Sequence, residues 1–286
     1  MHLLAATDFS TRSQRALRRA GLIARHSGAE LTLVHVVDDD QPRQLVELEL
    51  REAKRILDDQ IRAMIELQGV RCRPEVIAGN VFEGILRTAH SMKADLVIMG
   101  SHRKQLLRDI FVGTTIERVI RTGPYPVLMV NNEVEQPYKQ VFAAVDTVEA
   151  SAKAIRTARN LGFTSDTHVT LVHAFLPLAK EKMSYAGVDT DSIDEHVASE
   201  RVRMAGELVA FLEANELRDQ RWSWRVEEGT PFEVIAFAVK QTRPDLLIIG
   251  THGRSGIAKV LLGSVTEEVL RSLEVDILAV PPLTRQ

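Results

Sequence analysis

The strongest constraint on the fold of this chain is an internal repeat. Leu31-Thr-Leu-Val-His35 recurs as Val169-Thr-Leu-Val-His173, at an offset of 138 positions. Several more matching blocks follow in the same order, which is very improbable by chance and indicates a duplication. The later blocks are offset by 150 positions, so the second repeat carries about twelve extra residues between His173 and Gly229. The other matched blocks are Leu4-Ala-Ala-Thr-Asp8 with Phe142-Ala-Ala-Val-Asp146, Ala94–His102 with Pro244–His252, and Val127–Val130 with Ile277–Val280.

Each repeat alternates short apolar runs with amphipathic stretches. The runs Leu3–Ala6, Leu31–Val37, Leu96–Met99 and Val127–Val130 are continuously apolar, as is typical of strands buried on both faces. Strands that alternate with helices predict a parallel sheet with right-handed crossovers and helices on both faces. We therefore expect an α/β fold with two tandem domains, 1–133 and 138–286, joined by the polar linker Asn131–Lys139.

Local signals place several helix ends. Ser10 is expected to cap a helix that ends near Gly28, because a serine hydroxyl accepts from early helical N–H groups and glycine tolerates the left-handed end. The pattern over Leu45–Leu67 predicts one long amphipathic helix. Thr230 and Glu233 flank a proline and predict a capping box at another helix start.

Bulk properties exclude several classes of protein. With 286 residues the chain is long enough for two domains, and its net charge of −3 gives no bulk attraction to nucleic acid or to an anionic membrane. Cys72 is the only cysteine, so neither an intrachain disulfide nor a CxxC motif is possible. The amino terminus lacks the pattern of a signal peptide, and no apolar run is long enough to span a bilayer. We expect a cytoplasmic protein without nucleic-acid or membrane partners.

One loop in the second repeat has the composition of a phosphate cradle. It follows the apolar run Asp245–Ile249 and reads Gly250-Thr-His-Gly253, nine residues, then Gly263-Ser-Val-Thr-Glu267. Glycines let the main chain approach a phosphate closely, and successive N–H groups form an anion nest. Ser264 and Glu267 fit a capping box, which predicts a helix start with its positive dipole end at the loop. The hydroxyls of Ser264 and Thr266 are candidate phosphate donors. No Walker A motif occurs in the chain.

This G-x2-G-x9-G-[S/T] loop, in a small α/β domain whose first strand leads to an aspartate, resembles the universal stress protein family. The resemblance covers essentially the whole chain and matches the tandem, two-domain subtype. It implies a five-stranded parallel sheet in each domain, of the adenine nucleotide alpha-hydrolase-like or Rossmann-like type. It also implies ATP, or ADP or AMP, as ligand, with Mg²⁺ possible. The site residues it implies are Ala144 and Ala174 for the base, Asp146 for the ribose, and Ile249, Gly250, Gly253, Gly263, Ser264, Val265 and Thr266 for ribose and phosphates.

The first repeat departs from this pattern. It keeps Asp8, Gly100, Gly113 and Thr114, but Arg103 stands where the second repeat has Gly253. A side chain there is expected to crowd the phosphates, although its charge can alternatively pair with an anion. The first domain is therefore expected to be a weaker or empty site that supports the second as an intramolecular pseudo-dimer, with a homodimer as a further possibility.

Other chemically suggestive residues have simpler interpretations. His102 and His252 match between the repeats but have no obvious catalytic partner, and His35 and His173 lie inside apolar runs and are expected to be satisfied core histidines. No histidine spacing fits a metal site. The remaining open cases are Arg254 and Lys259 as γ-phosphate ligands or solvated charges, Trp222 and Trp224 as packing residues rather than a base-stacking platform, and Ala179–Asp191 as a lid, a partner surface or a plain loop.

Three functions remain open from the sequence. The leading hypothesis is a stress-response protein that binds ATP in its second domain and uses occupancy to bias a conformation or a contact with an unknown protein partner. The first alternative is a slow ATPase or phosphotransferase, for which Asp146, Lys259 and Ser264 are available but no base is evident. The second is a nucleotide-free interaction scaffold in which the loop only caps a helix.

Overall fold

The computed structural model describes residues 1–101, 114–134, 136–251 and 262–282. Each repeat begins with a strand and alternates strands with helices, as the sequence predicts. The first repeat contains β1 His2–Ala6, α1 Thr11–Ser27, β2 Glu30–Val37, α2 Arg43–Ala63, β3 Cys72–Ala78, α3 Val81–Ser91, β4 Leu96–Gly100, α4 Thr115–Thr122 and β5 Val127–Val130. The second contains β6 Gln140–Ala144, α5 Glu149–Asn160, β7 His168–Phe175, α6 Ala179–Tyr185, α7 Thr190–Ala214, β8 Ser223–Glu228, α8 Pro231–Thr242, β9 Leu246–Gly250, α9 Ser264–Ser272 and β10 Asp276–Val280.

The strands form one sheet of ten. Its order is β3-β2-β1-β4-β5-β10-β9-β6-β7-β8, so each repeat contributes five parallel strands. The two halves join through β5 and β10, which pair antiparallel with Leu128 opposite Leu278. The expected α/β architecture with five parallel strands in each repeat is confirmed, and the two sheets are continuous across the pseudo-dimer.

Two apolar layers cover the faces of this sheet. One layer packs α1, α2, α5 and α7 against the sheet and includes the fully buried Leu17, Leu57 and Ile155. The other packs α3, α4, α8 and α9 and includes Val119 and Val269. Because every central strand is covered on both sides, its sequence reads as a continuous apolar run rather than an alternating one.

Most expected helix ends are found. Ser10 accepts from the N–H of Ser13 and caps α1, which ends at Gly28 with φ of 65°. Thr230 and Glu233 form the predicted capping box of α8. The prediction of one helix over Leu45–Leu67 was wrong in its bounds: α2 ends at Ala63, where the next residue turns extended, and a separate 3₁₀ turn, Ile65–Leu67, follows.

Two connecting segments are more ordered than loops. The extra residues of the second repeat form α6 and the first turn of α7, which Asp189 caps by accepting from the N–H of Ser192 at 2.8 Å. The linker between the repeats is docked on the fold, since Tyr138 is 6% exposed and donates to Asp276 at 2.7 Å. The two halves are therefore held by side-chain contacts as well as by the shared sheet.

Candidate functional site

The sequence-predicted site residues of the second repeat converge on one edge of the sheet. Strand order reverses between β6 and β9, and ligands of such sheets bind outside the carboxyl ends of the strands at this point. Ala144 ends β6 beside Val172 of β7, and Gly250 ends the neighbouring β9. Asp146 follows β6 by two residues, and Ala174 lies two residues beyond Val172. The fold thus brings the ends of three strands together.

The side chains at this edge are small or half-buried. Ala144, Ala174 and Val265 are partly exposed and pack against the apolar layer under α8 and α9, while Ile249 is 5% exposed and belongs to that layer. Asp146 is half-buried. This edge therefore offers an apolar floor with one carboxylate beside it, which is a surface suited to a base and a ribose.

Two histidines fix the loops that carry the aspartates. His173 is 3% exposed, and its Nδ1 bonds to the carbonyl oxygen of Val145 at 2.7 Å. His35 makes the matched contact with the carbonyl of Thr7 at 2.8 Å. Both have a hydrogen-bond partner as predicted, but only His173 is a core residue, because His35 is partly exposed. His173 thus ties β7 to the residue before Asp146, and His35 ties β2 to the residue before Asp8.

The two aspartate loops differ in detail. In the first repeat, burial favours the neutral acid, but hydrogen bonds from Ser10 and Ser13 outweigh it and lower the pKa of Asp8. In the second repeat, the N–H of Asp146 donates to Ser151 Oγ at 3.0 Å. Sequence reasoning missed Ser151, although it repeats Ser13 at the same offset of 138 positions and comparison of the repeats would have found it.

Gly250 serves helix packing. A Cβ there would lie 3.0 Å from the carbonyl oxygen of Ala150, at the start of α5, and at the matched Gly100 it would lie 2.6 Å from the carbonyl oxygen of Arg12. The first turn of the helix therefore passes directly over the end of the strand, and a side chain at either glycine would collide with it. Thr266, 3% exposed, adds to this closure because its Oγ1 donates to the Gly250 carbonyl at 3.0 Å.

The glycine loop of the second repeat is closed at its base. The N–H of Gly263 donates to the carbonyl of Thr251 at 2.8 Å, so the chain leaves and returns at one point. Thr251 is itself tied to β10 through Val280 at 2.9 Å. Thr251 and Gly263 are therefore held together beside the start of α9.

The predicted capping box of Ser264 and Glu267 was wrong, although α9 begins at Ser264 as expected. The N-cap is Gly263, with φ of −61°, and Ser264 is the exposed first helical residue. With Gly263 as the cap, Glu267 is the fourth helical residue rather than the third that a capping box requires, and its carboxylate lies 2.7 Å from Arg271 instead. Gly263 has no side chain, so the cap residue supplies no acceptor to the first N–H groups of α9.

The matched helix of the first repeat is capped by side chains. Thr114 Oγ1 accepts from the N–H of Glu117, whose Oε2 accepts from the N–H of Thr114 at 3.1 Å. Glu117 is fully buried and also accepts from Arg271 Nε of the other repeat at 3.0 Å. The two helix starts therefore differ in the availability of their donors, and one side chain, Arg271, contacts a glutamate on each helix.

Several sequence-predicted residues lie outside the described residues. They include the middle glycine of the motif and the arginine that replaces it in the first repeat. These residues are Gly253, Arg254, Lys259 and His252 in the second repeat, and His102, Arg103 and Gly113 in the first.

The two tryptophans differ in their exposure. Trp222 packs against the apolar layer under α7, as expected, but Trp224 is 46% exposed at the edge of the sheet. Among the described residues, no cluster of three histidine, cysteine or carboxylate groups is placed to bind a metal. Within the same ranges, no helix has the length and hydropathy needed to cross a membrane.

Comparison with known proteins agrees with this architecture. The model of the universal stress protein family matches residues 1–131 and again 137–281. Universal stress protein E of Escherichia coli K12 is 26% identical over 209 residues, covering 70% of this chain and 65% of that protein. Universal stress protein E of Salmonella typhi is 23% identical, over 98% of this chain and 94% of its own length.

Similarity to a solved structure extends over both repeats. A universal stress protein from Archaeoglobus fulgidus aligns with a TM-score of 0.66 and 15% identity, covering 98% of each chain. At this identity the likeness concerns the fold alone. Together with the two family matches, the duplicated sequence and the ten-stranded sheet, it leads to one conclusion: the chain belongs to the universal stress protein family, as a tandem member with two such domains.

Proposed function

We propose that the second domain binds ATP or another adenine nucleotide, and that occupancy of this site regulates the contact of the protein with a partner. The observation that carries the proposal is the difference between the two matched helix starts. In α9 the N-cap is a glycine and the Glu267 carboxylate lies against Arg271, whereas in α4 the Thr114–Glu117 capping box occupies the same position.

This difference favours an anion at the second domain. The first N–H groups of a helix have no intrahelical acceptor and carry a positive partial charge. At α9 these are the three groups beginning with Ser264, and the helix start lies beside the end of β9, since the Thr266 hydroxyl donates to the Gly250 carbonyl at 3.0 Å. A side-chain cap like that of α4 would use one of these donors through its hydroxyl and would place a carboxylate near the phosphate, and the N-cap of α9 makes no such bond.

The remaining residues suit the other parts of a nucleotide. Ala144 and Ala174 are small, half-buried and apolar, which leaves room for a flat base at the ends of β6 and β7. Asp146 is an acceptor for ribose hydroxyls beside them. The exposed hydroxyl of Ser264 is a donor for phosphate oxygens. Mg²⁺, which would neutralise the phosphates of ATP, is part of the proposal only as a companion of the ligand.

The first test is whether the protein binds nucleotide at all. We expect the supernatant of the heat-denatured protein, or an isothermal titration of the stripped protein with ATP, to reveal one nucleotide for each chain. The titration is run with and without Mg²⁺, and phosphate release is followed in parallel to detect turnover. No bound nucleotide and no ATP signal would refute the proposal and favour the scaffold.

Matched variants then locate the site. Asp146→Ala removes a hydrogen bond to a charged acceptor, so we expect ATP to bind roughly tenfold to a hundredfold more weakly. Asp8→Ala is the control in the first repeat and is expected to leave the affinity unchanged. Gly253→Arg copies the first repeat into the second and is expected to abolish binding, while Arg103→Gly retains it. Equal effects of the two aspartate variants would contradict the assignment to the second domain.

A further inference from the structure

The edge strand β8 has features that no nucleotide site requires. It ends the ten-stranded sheet and pairs only with β7 in the described part of the chain. Trp224, the second residue of β8, is 46% exposed. Beside it is a groove of about 410 Å³, and Leu212, Leu217 and the two tryptophans are among the residues that line it.

The matched edge strand β3 is protected against further pairing. Gly79 and Gly229 end the two strands with nearly the same φ, 138° and 142°, and each donates its N–H inward, to Val37 and Phe175 respectively. Because the direction of N–H groups alternates along a strand, Pro74 presents its nitrogen to the outside of the sheet. A proline there offers no donor, which is a common protection of edges.

In β8 this protection is missing. Trp224 occupies the register of Pro74, since Leu171 pairs with it as Leu33 pairs with Pro74. By the same alternation, the N–H and C=O groups of Trp224, Val226 and Glu228 point away from β7. Those of Arg225 and Glu227 point towards it. The outer edge of β8 is therefore a row of backbone donors and acceptors with an exposed tryptophan on it.

The charges of β8 favour one way of filling this edge. Arg225 and Glu227 are on one face, with Nε and Oε1 3.1 Å apart and the side chains 34% and 37% exposed. An antiparallel copy of the same strand, related by a twofold axis through Val226, would place each Arg225 opposite the partner's Glu227. Axes through Arg225 or Glu227 would instead place like charges opposite each other, which destabilises a pair of strands.

We propose that β8 is a homodimer interface, in which two copies of the chain pair antiparallel about Val226 and extend the sheet across both molecules. The axis residue presents its N–H and C=O outwards, so the central pair is a hydrogen-bonded one. Trp224 and its groove lie beside the new strand pair and become covered. A twofold contact of this kind closes on itself, so assembly stops at the dimer.

The decisive experiment uses two charge variants that are mixed. Arg225→Glu gives an interface with only acidic residues at these two positions, and Glu227→Arg gives one with only basic residues. We expect sedimentation velocity to give about twice 31.9 kDa for the unaltered chain and one chain mass for each variant alone. An equimolar mixture of the two variants restores opposite charges across the axis and is expected to restore the dimer.

Three outcomes would overturn the proposal. They are a single-chain mass for the unaltered protein over a concentration series, a dimer that both variants retain, and a mixture that stays monomeric. Urea unfolding of each variant serves as the folding control, because the two altered side chains are partly exposed. Trp224→Pro, which copies β3, provides an independent variant and is expected to leave the protein monomeric.

A fluorescence measurement reports on the edge itself. The chain has two tryptophans, so Trp222→Phe leaves Trp224 as the only reporter. We expect its emission to shift to the blue as concentration rises into the range where the mass doubles. A mass that doubles without such a shift would assign the dimer to another face and refute the role of β8.

Discussion

The contact between the linker and β10 allows a quantitative prediction about stability. Asp276 is fully buried, and its carboxylate accepts from the N–H groups of Asn131 and Asn132 at 2.9 and 3.0 Å and from the hydroxyl of Tyr138 at 2.7 Å. Arg19, whose side chain is 6% exposed, lies 3.4 Å from the same carboxylate. One carboxylate thus joins α1, the linker and the second half of the sheet.

Asp276→Ala removes the acceptor of three donors and the counter-charge of a buried arginine. Breaking a buried pair on one side costs about 3–5 kcal/mol, because the remaining charge is left unpaired. Arg19 keeps its bond to the Gln136 carbonyl at 2.8 Å and its place 4.1 Å over the Tyr138 ring, which limits the loss. We expect the free energy of unfolding to fall by about 4 kcal/mol, a large part of a typical total of roughly 5–15 kcal/mol.

The assay is urea unfolding followed by far-ultraviolet circular dichroism. The control is Asp95→Ala, because Asp95 also accepts a backbone N–H, from His2 at 2.7 Å, but is exposed. We expect this control to lose about 1 kcal/mol or less. A loss for Asp276→Ala no larger than that of the control would refute the reasoning.

A double variant separates the charge from the hydrogen bonds. Burial raises the pKa of Asp276 in spite of its donors and Arg19, so keeping the charged pair inside the protein is costly. Removing both charges with Arg19→Met and Asp276→Leu is therefore expected to recover at least about 2 kcal/mol of the loss. No recovery would indicate that the three hydrogen bonds, rather than the pair, carry the stability.

Three further predictions concern other buried groups. Burial raises the pKa of the Cys72 thiol to about 12. Alkylation of this thiol at pH 8 is therefore expected to be roughly a thousandfold slower in the native protein than in urea. Equal alkylation rates would contradict the burial of the thiol. Gly100→Ala is expected to lower the melting temperature more than Gly250→Ala. The new Cβ would lie 2.6 Å from a backbone oxygen at position 100 and 3.0 Å from one at position 250. The reverse order in calorimetry would contradict the packing role. Arg271→Met leaves the buried Glu117 without its partner across the two halves. Because Arg271 is 43% exposed, we expect the free energy of unfolding in urea to fall by only about 1–2 kcal/mol. An unchanged free energy of unfolding would argue against the contact.

The apolar runs predicted four strands of the first repeat well, because burial on both faces leaves a plain signal, but they did not include the edge strand β3, whose residues are only partly buried. Runs such as Leu96–Met99 are apolar at every position, and the repeat supplied each run with a second copy. The sequence did not predict that β5 and β10 pair with each other. Val127–Val130 reads as a central strand, but four apolar residues carry no information about which neighbour lies beside them. Asp276 gave no signal either, because its counterpart in the first repeat is Pro126.

The candidate site was predictable in position and less so in the role of single residues. The rule that ligands bind at the ends of parallel strands brought Asp146, Ala174 and Gly250 to one edge, and the fold agrees. The glycine pattern did not reveal that Gly250 admits the first turn of α5. A pattern of residue types records that a side chain is excluded, but not which atoms exclude it.

The two helix starts illustrate how one pattern gives two structures. Thr114 with Glu117 and Ser264 with Glu267 both fit S/T-x-x-E, yet only the first forms a capping box. The helix register accounts for the difference: in α4 the N-cap is Thr114 and Glu117 is the third helical residue, whereas in α9 the N-cap is Gly263 and Glu267 is the fourth. In the first repeat side chains cap the helix start, whereas in the second the N-cap makes no side-chain hydrogen bond. This gives a physical reason, independent of Arg103, for expecting anions to bind the second domain more tightly than the first.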